Sequence, residues 1–264
     1  MMRNINKKLL ARLSNGDLLN LLNYIKSDNG LRLEVRQKGD AFVYYRKGKA
    51  LEIKGLKVDK KYGNTPSTDL AVTNPEKFFE LMKNSIDNWI CCKKKRAEFD
   101  TQQNIARFNQ DIEDRYIILD MEYSFEQRKI NNSNREKRAV FDLLGIDKIT
   151  KKIVFFEVKK GIKNLSRRSG IEDHITDYES FLCSKNSSIY RANLLEDIKY
   201  IIQDKTELGL ITNYCLPDNI HNYETELVFV FHPENPSQVD IVKKEIKDRY
   251  KIILIENDGN YKLK

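Results

Sequence analysis

The sequence predicts an α/β protein in which helices flank a mixed β-sheet, with a smaller α+β domain at the N-terminus. The order of patterns in residues 91–264 supports this fold class, because three strand-like stretches are followed by helices and two further strands. A second observation is the run of four apolar residues from Ile153 to Phe156, typical of a strand covered on both faces. With 264 residues and 40% hydrophobic content, the chain can form a packed core.

The N-terminal domain is predicted to span residues 1–90. Its predicted elements are helices between Asn6 and Ile25, strands at 31–35, 41–45 and 50–53, a loop at 58–73, and a helix from Pro75 to Ile90. A break near Asn15 divides the first helical stretch, and either Ser14 or Asn15 can cap the helix that follows. Asn74 is expected to cap the helix that begins at Pro75.

Basic and aromatic residues on the three-strand meander are expected to face outward. They are Arg32, Arg36, Tyr44, Tyr45 and Arg46. Such side chains can contact nucleic acid, although packing between neighbouring strands explains them better.

The second predicted domain covers residues 91–264. Its predicted elements are a helix at 93–114, strands at 115–125, 139–146 and 153–158, helices at 171–183 and 189–205, a strand at 227–231, a helix at 237–250 and a strand at 252–256. The boundary between the domains is placed near residue 90, where one helix ends and a more polar one begins.

Composition indicates the partner and the compartment. A formal net charge of +8 favours a polyanionic partner such as nucleic acid, although the densest basic runs, Lys93 to Arg96 and Arg135 to Arg138, are short. Four cysteines without metal-ligand spacing indicate reduced, largely buried thiols. No apolar run is long enough for a membrane span, and Met1 to Lys8 lacks the apolar core of a signal peptide, so we expect a cytoplasmic protein with no membrane partner.

Acidic residues on two neighbouring strands form the candidate site. A hairpin over residues 139–158 brings Asp142 opposite residue 156 or 157, so that Asp142 and Glu157 converge at one edge of the sheet. Lys159 shares the strand face of Glu157, because residues at i and i+2 point the same way. Burying Asp142 among apolar neighbours is costly unless it is paired, hydrogen-bonded or bound to a cation.

These groups suit a hard divalent metal ion. The carboxylates of Asp142 and Glu157 and the backbone carbonyl of Val158 are oxygen ligands of the kind that Mg²⁺ or Mn²⁺ prefers. Such an ion polarises a phosphoryl oxygen and lowers the pKa of a bound water, and Lys159 can hold that water or neutralise the phosphate. The pattern therefore predicts phosphodiester hydrolysis, whereas the plainer interpretation is an exposed hairpin with a cross-strand ion pair.

Over roughly residues 93–181 the chain resembles the PD-(D/E)XK phosphodiesterase superfamily, which has a restriction-endonuclease-like core. The resemblance consists of Asp142, an interval of fourteen residues, and then Glu157-Val158-Lys159. It implies that Asp142 and Glu157 bind the metal and that Lys159 assists catalysis. The proline that gives the family its name is replaced by Phe141.

The family resemblance also implies further site residues. Members often add an acidic residue from a helix before the first strand, for which Glu98 is the best match and Glu122 the competing choice. A subset carries Gln-x-x-x-Tyr on the helix after the third strand, and His174 and Tyr178 have that spacing with His in place of Gln. Ordinary helix-surface and packing roles explain this pair equally well.

Three functions follow as expectations. The first is a divalent-metal-dependent nuclease, with DNA favoured over RNA as the nucleic-acid partner, in which Arg167 and Arg168 contact phosphate. The second is a catalytically inactive nuclease-fold protein that acts as a nucleic-acid-binding or protein-interaction module, and the third is a structural interaction protein. A homodimer is expected by analogy with nucleases that cut two strands.

Overall fold

The computed structural model describes residues 2–92, 97–111, 113–126, 138–162, 165, 170–211, 214–246, 249–256 and 259–264. The chain forms two compact units. Unit 1 comprises Met1–Gln103 with Glu196–Leu216, and unit 2 comprises Asn104–Leu195 with Pro217–Lys264. Residue 90, where the sequence places the boundary, lies inside unit 1, which extends to Gln103 and takes in a later segment of the chain.

Unit 1 contains a three-stranded antiparallel sheet and several helices. The elements are α1 (Lys7–Asn15), α2 (Leu19–Ser27), β1 (Leu31–Arg36), β2 (Asp40–Tyr45), β3 (Gly48–Glu52), a 3₁₀ turn (Lys60–Tyr62), α3 (Leu70–Thr73), α4 (Pro75–Cys91) and the start of α5 (Ala97–Phe108). The sheet order is β1-β2-β3, which confirms the predicted meander. The predicted loop at 58–73 also holds the 3₁₀ turn and α3.

Side-chain caps begin two of these helices. Asn74 accepts the backbone N–H of Lys77 at 3.1 Å, as predicted, and Pro75 occupies the first turn of α4. Asn6 caps α1 by accepting the N–H of Leu9 at 2.8 Å. The predicted cap of α2 by Ser14 or Asn15 is wrong, because α2 begins after Leu18 without a side-chain cap.

The expectation that the basic and aromatic side chains of the meander face outward is wrong for three of the five, whereas Tyr45 and Arg46 are half-buried. Arg32, Arg36 and Tyr44 are all buried. Glu34, which is 0% exposed, lies among them and accepts hydrogen bonds from Arg32 and from Lys205. Lys205 belongs to the segment that returns to unit 1, and it lies 2.6 Å from Glu34. These charges are buried because they neutralise one another.

Unit 2 contains a five-stranded mixed sheet flanked by helices. The elements that follow α5 are β4 (Tyr116–Glu126), β5 (Arg138–Asp147), β6 (Lys152–Lys160), α6 (Ile171–Cys183), α7 (Ser187–Glu207), which ends in unit 1, a 3₁₀ turn (Ile220–Asn222), β7 (Glu224–His232), α8 (Gln238–Ile246) and β8 (Lys251–Leu254). The sheet order is β4-β5-β6-β7-β8, with antiparallel pairs from β4 to β6 and parallel pairs from β6 to β8. The predicted fold class is confirmed at this level.

Strand β6 is the centre of this sheet and is covered on both faces, as predicted. Ile153 to Phe156 are fully buried. The ring of Phe155 stacks on Phe141 at 4.4 Å and meets Phe181 of α6 edge-on at 5.2 Å, whereas Phe156 packs against Tyr116. Burial of such a ring contributes about 1.5–3 kcal/mol, so this cluster fixes α6 against β6.

The crossover between the parallel strands β6 and β7 contains α6 and α7. A parallel pair requires such a crossover, and it carries helical residues past the end of β6. Within the part of the chain that the structure describes, no helix combines the length and apolar character needed to cross a bilayer.

The four cysteines are free and exposed, so the prediction that they are largely buried is wrong.

Candidate functional site

The register of the β5–β6 hairpin shows which residue lies opposite Asp142, a choice between residues 156 and 157 that the sequence alone did not decide. Asp147 pairs with Lys152 and Leu143 pairs with Phe156, and this is the last pair of the ladder among the described residues. Asp142 is therefore in the row of Glu157. At this row the Oδ2 atom of Asp142 accepts the backbone N–H of Val158 at 2.9 Å. A side chain thus satisfies the donor of Val158 where the backbone ladder between these strands has ended.

Glu157 is the most enclosed charge of the site, with 2% of its surface exposed. Its Oε1 atom accepts a hydrogen bond from Nζ of Lys159 at 2.6 Å, and Nε2 of His174 lies 2.8 Å from the same oxygen. Among the described residues, the buried Oε2 atom has no hydrogen-bond partner. A buried carboxylate oxygen without a donor is costly, and a cation would offset that cost.

His174 lies in the first turn of α6 and is buried beside Glu157. Burial is the strongest single influence on the His174 pKa and lowers it, but the charge of Glu157 and the hydrogen bond to it raise the pKa. The neighbouring Lys159 lowers it further and Asp142 raises it, and the net direction is upward. Glu157 therefore favours the imidazolium form, which donates to the carboxylate.

Glu122 occupies the same row on strand β4. Strand β4 pairs Met121 with Leu143 and Tyr123 with Phe141, so Glu122 and Asp142 are the residues between these pairs. Glu122 has a φ of +56°, in the left-handed region that costs a side-chain-bearing residue about 1–2 kcal/mol. Backbone strain of this kind persists where the surrounding structure imposes it, and it is frequent at functional sites.

Glu98 lies at the start of α5, in the part of that helix that belongs to unit 1. Asp142 and Glu157 belong to unit 2. The two competing acidic candidates thus differ in location, since Glu122 is in the same unit as the carboxylate pair and Glu98 is not.

Tyr178 follows His174 by one helical turn and has a different environment. Its hydroxyl donates to the backbone carbonyl of Thr225 at 2.7 Å, and its ring packs against Phe155. Thr225 pairs with Ile153, which lies near the start of β6, whereas Glu157 lies toward the other end of that strand. The structure therefore brings His174 to the site and gives Tyr178 a packing role. Arg167 and Arg168 lie outside the described residues.

The donor set fits a hard cation in part. In an extended strand the N–H and C=O of one residue point to the same side. The carbonyl of Val158 therefore faces β5, as does its N–H, which donates to Asp142. This carbonyl and the two carboxylates are oxygen donors, and Mg²⁺ typically uses one or two carboxylates and keeps several waters. Across the described ranges, no group of three or more His, Cys, Asp or Glu residues is arranged to hold a metal ion.

Two features of the site could not be predicted from the sequence. The bond from Val158 N–H to Asp142 depends on where the ladder ends, and the left-handed backbone of Glu122 lies in an otherwise regular strand pattern. Comparisons of the chain with protein-family models, with curated proteins and with solved structures found no match.

Proposed function

We propose that this protein is a divalent-metal-dependent nuclease of the PD-(D/E)XK type, with a restriction-endonuclease-like core, which hydrolyses phosphodiester bonds in DNA rather than RNA. The observation that carries the proposal is the placement of Asp142 on the N–H of Val158 in the row of Glu157, with Lys159 on the same strand face. Two carboxylates and a lysine at the edge of a mixed sheet provide the groups that this chemistry requires.

Asp142, Glu157 and the carbonyl of Val158 would hold Mg²⁺ or Mn²⁺. When bound, the ion supplies Lewis-acid polarisation of a phosphoryl oxygen and a bound water of lowered pKa. The buried Oε2 atom of Glu157 supports this role, because among the described residues it has no donor. Asp142 contributes a carboxylate that is already oriented by the N–H of Val158.

Lys159 is assigned the role of orienting the attacking water and neutralising charge on the phosphate. Lys159 is 5% exposed as a residue, so its charge acts in a medium of low dielectric constant. His174 is a positioning residue. By donating to the same oxygen of Glu157 as Lys159 does, it fixes the carboxylate so that Oε2 is the oxygen left for the cation.

Glu122 is the better choice for a third acidic residue. It shares a unit and a row with Asp142, and its strained backbone is consistent with a functional constraint. Nucleic acid is the proposed partner because of the net charge of +8, and a homodimer is proposed only by analogy with nucleases that cut both strands.

A cleavage assay tests the proposal. Plasmid DNA, single-stranded DNA and RNA are incubated with Mg²⁺ or Mn²⁺ and with the wild type, Asp142→Asn or Lys159→Ala. Loss of either group is expected to slow cleavage by about 10²–10⁴-fold. Lys160→Ala is the matched control, since Lys160 is the next residue and alternation places it on the other strand face. Equal cleavage by all four proteins would indicate contamination and refute the proposal.

A second candidate is a nuclease-fold protein that binds nucleic acid or another protein without cutting. The observation that favours it is the pair of basic side chains on Oε1 of Glu157, which already meet part of its need for positive charge. Binding of DNA with equal affinity in Mg²⁺ and in chelator, without cleavage in any condition, would select this candidate.

A further inference from the structure

A second concave site lies within unit 2, away from Asp142 and Glu157. It is a cavity of about 530 Å³ between the end of α6, the first turn of α7 and the start of β7. Thr225 in its wall precedes Phe229, the partner of Glu157 in the parallel ladder, by four residues. At about 3.3 Å per residue, the cavity is about 13 Å along β7 from the carboxylate row.

Arg191 is the principal charge of this cavity. Its Nη2 atom donates to the backbone carbonyl of Tyr223 and, at 3.4 Å, to that of His221. Among the described residues, no carboxylate lies within ion-pair distance of its guanidinium. Burial lowers the pKa of Arg191, with a smaller opposite influence from Tyr178, but an arginine stays charged in a protein. A partly desolvated cation without a counter-charge is stabilised by an anionic ligand.

The other lining groups indicate which anion fits. The hydroxyls of Ser187 and Ser188 and the amide of Asn222 are neutral donors of the kind that contact phosphate oxygens. Leu182 presents an apolar surface in the same cavity, with 44% of its area exposed. The carboxylate of Glu224 supplies an acceptor. The cavity thus combines phosphate donors, an apolar wall and an acceptor for a hydroxyl.

We propose that this cavity binds a nucleoside monophosphate group. The phosphate lies on Arg191 and the two serines, a ribose hydroxyl donates to Glu224, and the base covers Leu182. The volume is within the range of about 300–1,000 Å³ that is common for small-molecule sites. A free nucleotide and the phosphorylated end of an oligonucleotide share this chemistry. The proposal is independent of the nuclease proposal, because no residue of the carboxylate site takes part.

Isothermal titration calorimetry of the full chain tests it with a nucleoside, its 5′-monophosphate, inorganic phosphate, and a short oligonucleotide with and without a 5′-phosphate. The monophosphate is expected to bind at least about tenfold more tightly than the nucleoside, because only the former reaches Arg191. Tighter binding of the free nucleotide identifies a metabolite as the ligand, and tighter binding of the phosphorylated oligonucleotide identifies a nucleic-acid end.

Variants at the exposed Ser188 separate binding from folding. Ser188→Glu places a carboxylate beside the phosphate position and is expected to bind at least about tenfold more weakly than Ser188→Gln, which has the same shape without the charge and lacks the same hydroxyl. Asp142→Asn is expected to bind as the wild type does. The proposal is overturned if Ser188→Glu binds as tightly as the wild type, if the nucleoside matches its monophosphate, or if no phosphate-bearing probe binds.

Discussion

The carboxylate of Asp142 accepts the backbone N–H of Val158 at 2.9 Å, in the row that follows the last pair of the β5–β6 ladder. One side chain therefore replaces a strand as the partner of a backbone donor, and at the same time it is one of the two carboxylates of the candidate site. Substitution can separate the structural role of this carboxylate from the role proposed for it in metal binding.

Asp142→Asn is expected to keep the fold and lose activity. The amide oxygen can still accept the N–H of Val158, but the charge for a cation is gone. Asp142→Ala removes both and is expected to lower the free energy of unfolding by about 1–3 kcal/mol. Urea denaturation and the cleavage assay measure the two effects, and equal stability of both variants would contradict the role of this hydrogen bond.

His174→Gln is expected to retain more activity than His174→Ala, because a glutamine amide can donate to Oε1 of Glu157 as the imidazole does. The Mg²⁺ concentration for half-maximal cleavage should rise most in the alanine variant. If alanine and glutamine variants behave alike, His174 does not position Glu157.

The stability of the wild type should also depend on His174 ionisation. Since its folded-state pKa is raised, its contribution is fully present below the unfolded value and is lost as pH rises through the folded value. The stability difference between wild type and His174→Gln, followed by urea denaturation from acidic to mildly alkaline pH, should shrink over that interval. A difference that grows with pH would contradict the assigned direction.

Glu122→Gly is expected to stabilise the protein by about 1 kcal/mol, because glycine adopts a φ of +56° without the cost that a side chain incurs. Glu122→Gln keeps the strain and removes only the charge. If Glu122 serves the site, both variants lose activity and only the glycine variant gains stability. A glycine variant that is less stable than the wild type would show that the side chain of Glu122 contributes more than the strain costs.

Asp204→Asn is expected to raise stability at neutral pH. Burial raises the pKa of Asp204 to about 6, against the hydrogen bond from the N–H of Ile5, which lowers it. A raised folded-state pKa means that the stability present below the unfolded value near 3.8 is lost as pH rises through about 6. The variant should therefore gain about 1–3 kcal/mol at pH 7 and nothing near pH 3, as measured by urea denaturation at each pH. A gain that is the same at both values would contradict the titration.

Lys205→Met is expected to destabilise the protein by about 3–5 kcal/mol, because it leaves the fully buried Glu34 with less compensating charge. Burial raises the pKa of Glu34, but Arg32, Lys205 and Arg36 outweigh it and lower the pKa to about 2. Glu34→Gln combined with Lys205→Met should recover part of the loss. A double variant less stable than the single one would contradict this account.

The sequence predicted those features that depend on local pattern. The apolar run at 153–156 identified β6, Asn74 and Pro75 identified the start of α4, and the alternation at residues 31–53 identified the meander. The spacing of Glu157 and Lys159 placed their side chains together, because the two-residue period of a strand requires no tertiary information.

The remaining features depend on tertiary contacts that no local pattern encodes. Alternating arginines on β1 resemble an exposed face, but Lys205, far away in sequence, makes their burial possible through Glu34. The residue opposite Asp142 could not be predicted for the same reason, because the turn alone permits either residue 156 or residue 157 at that position. The pairing of Leu143 with Phe156 in the structure decides the register.

Helix α7 begins in unit 2 and ends in unit 1, and this has a consequence for biosynthesis. Asp197, Asp204 and Lys205 follow their partners Arg3, Ile5 and Glu34 by 194, 199 and 171 residues. Until they have been made, the N–H groups of Arg3 and Ile5 and the charge of Glu34 lack these partners. Most of unit 2 is therefore synthesised before unit 1 is complete. A fragment that stops near residue 103 should accordingly be recovered as an unstable or aggregated product.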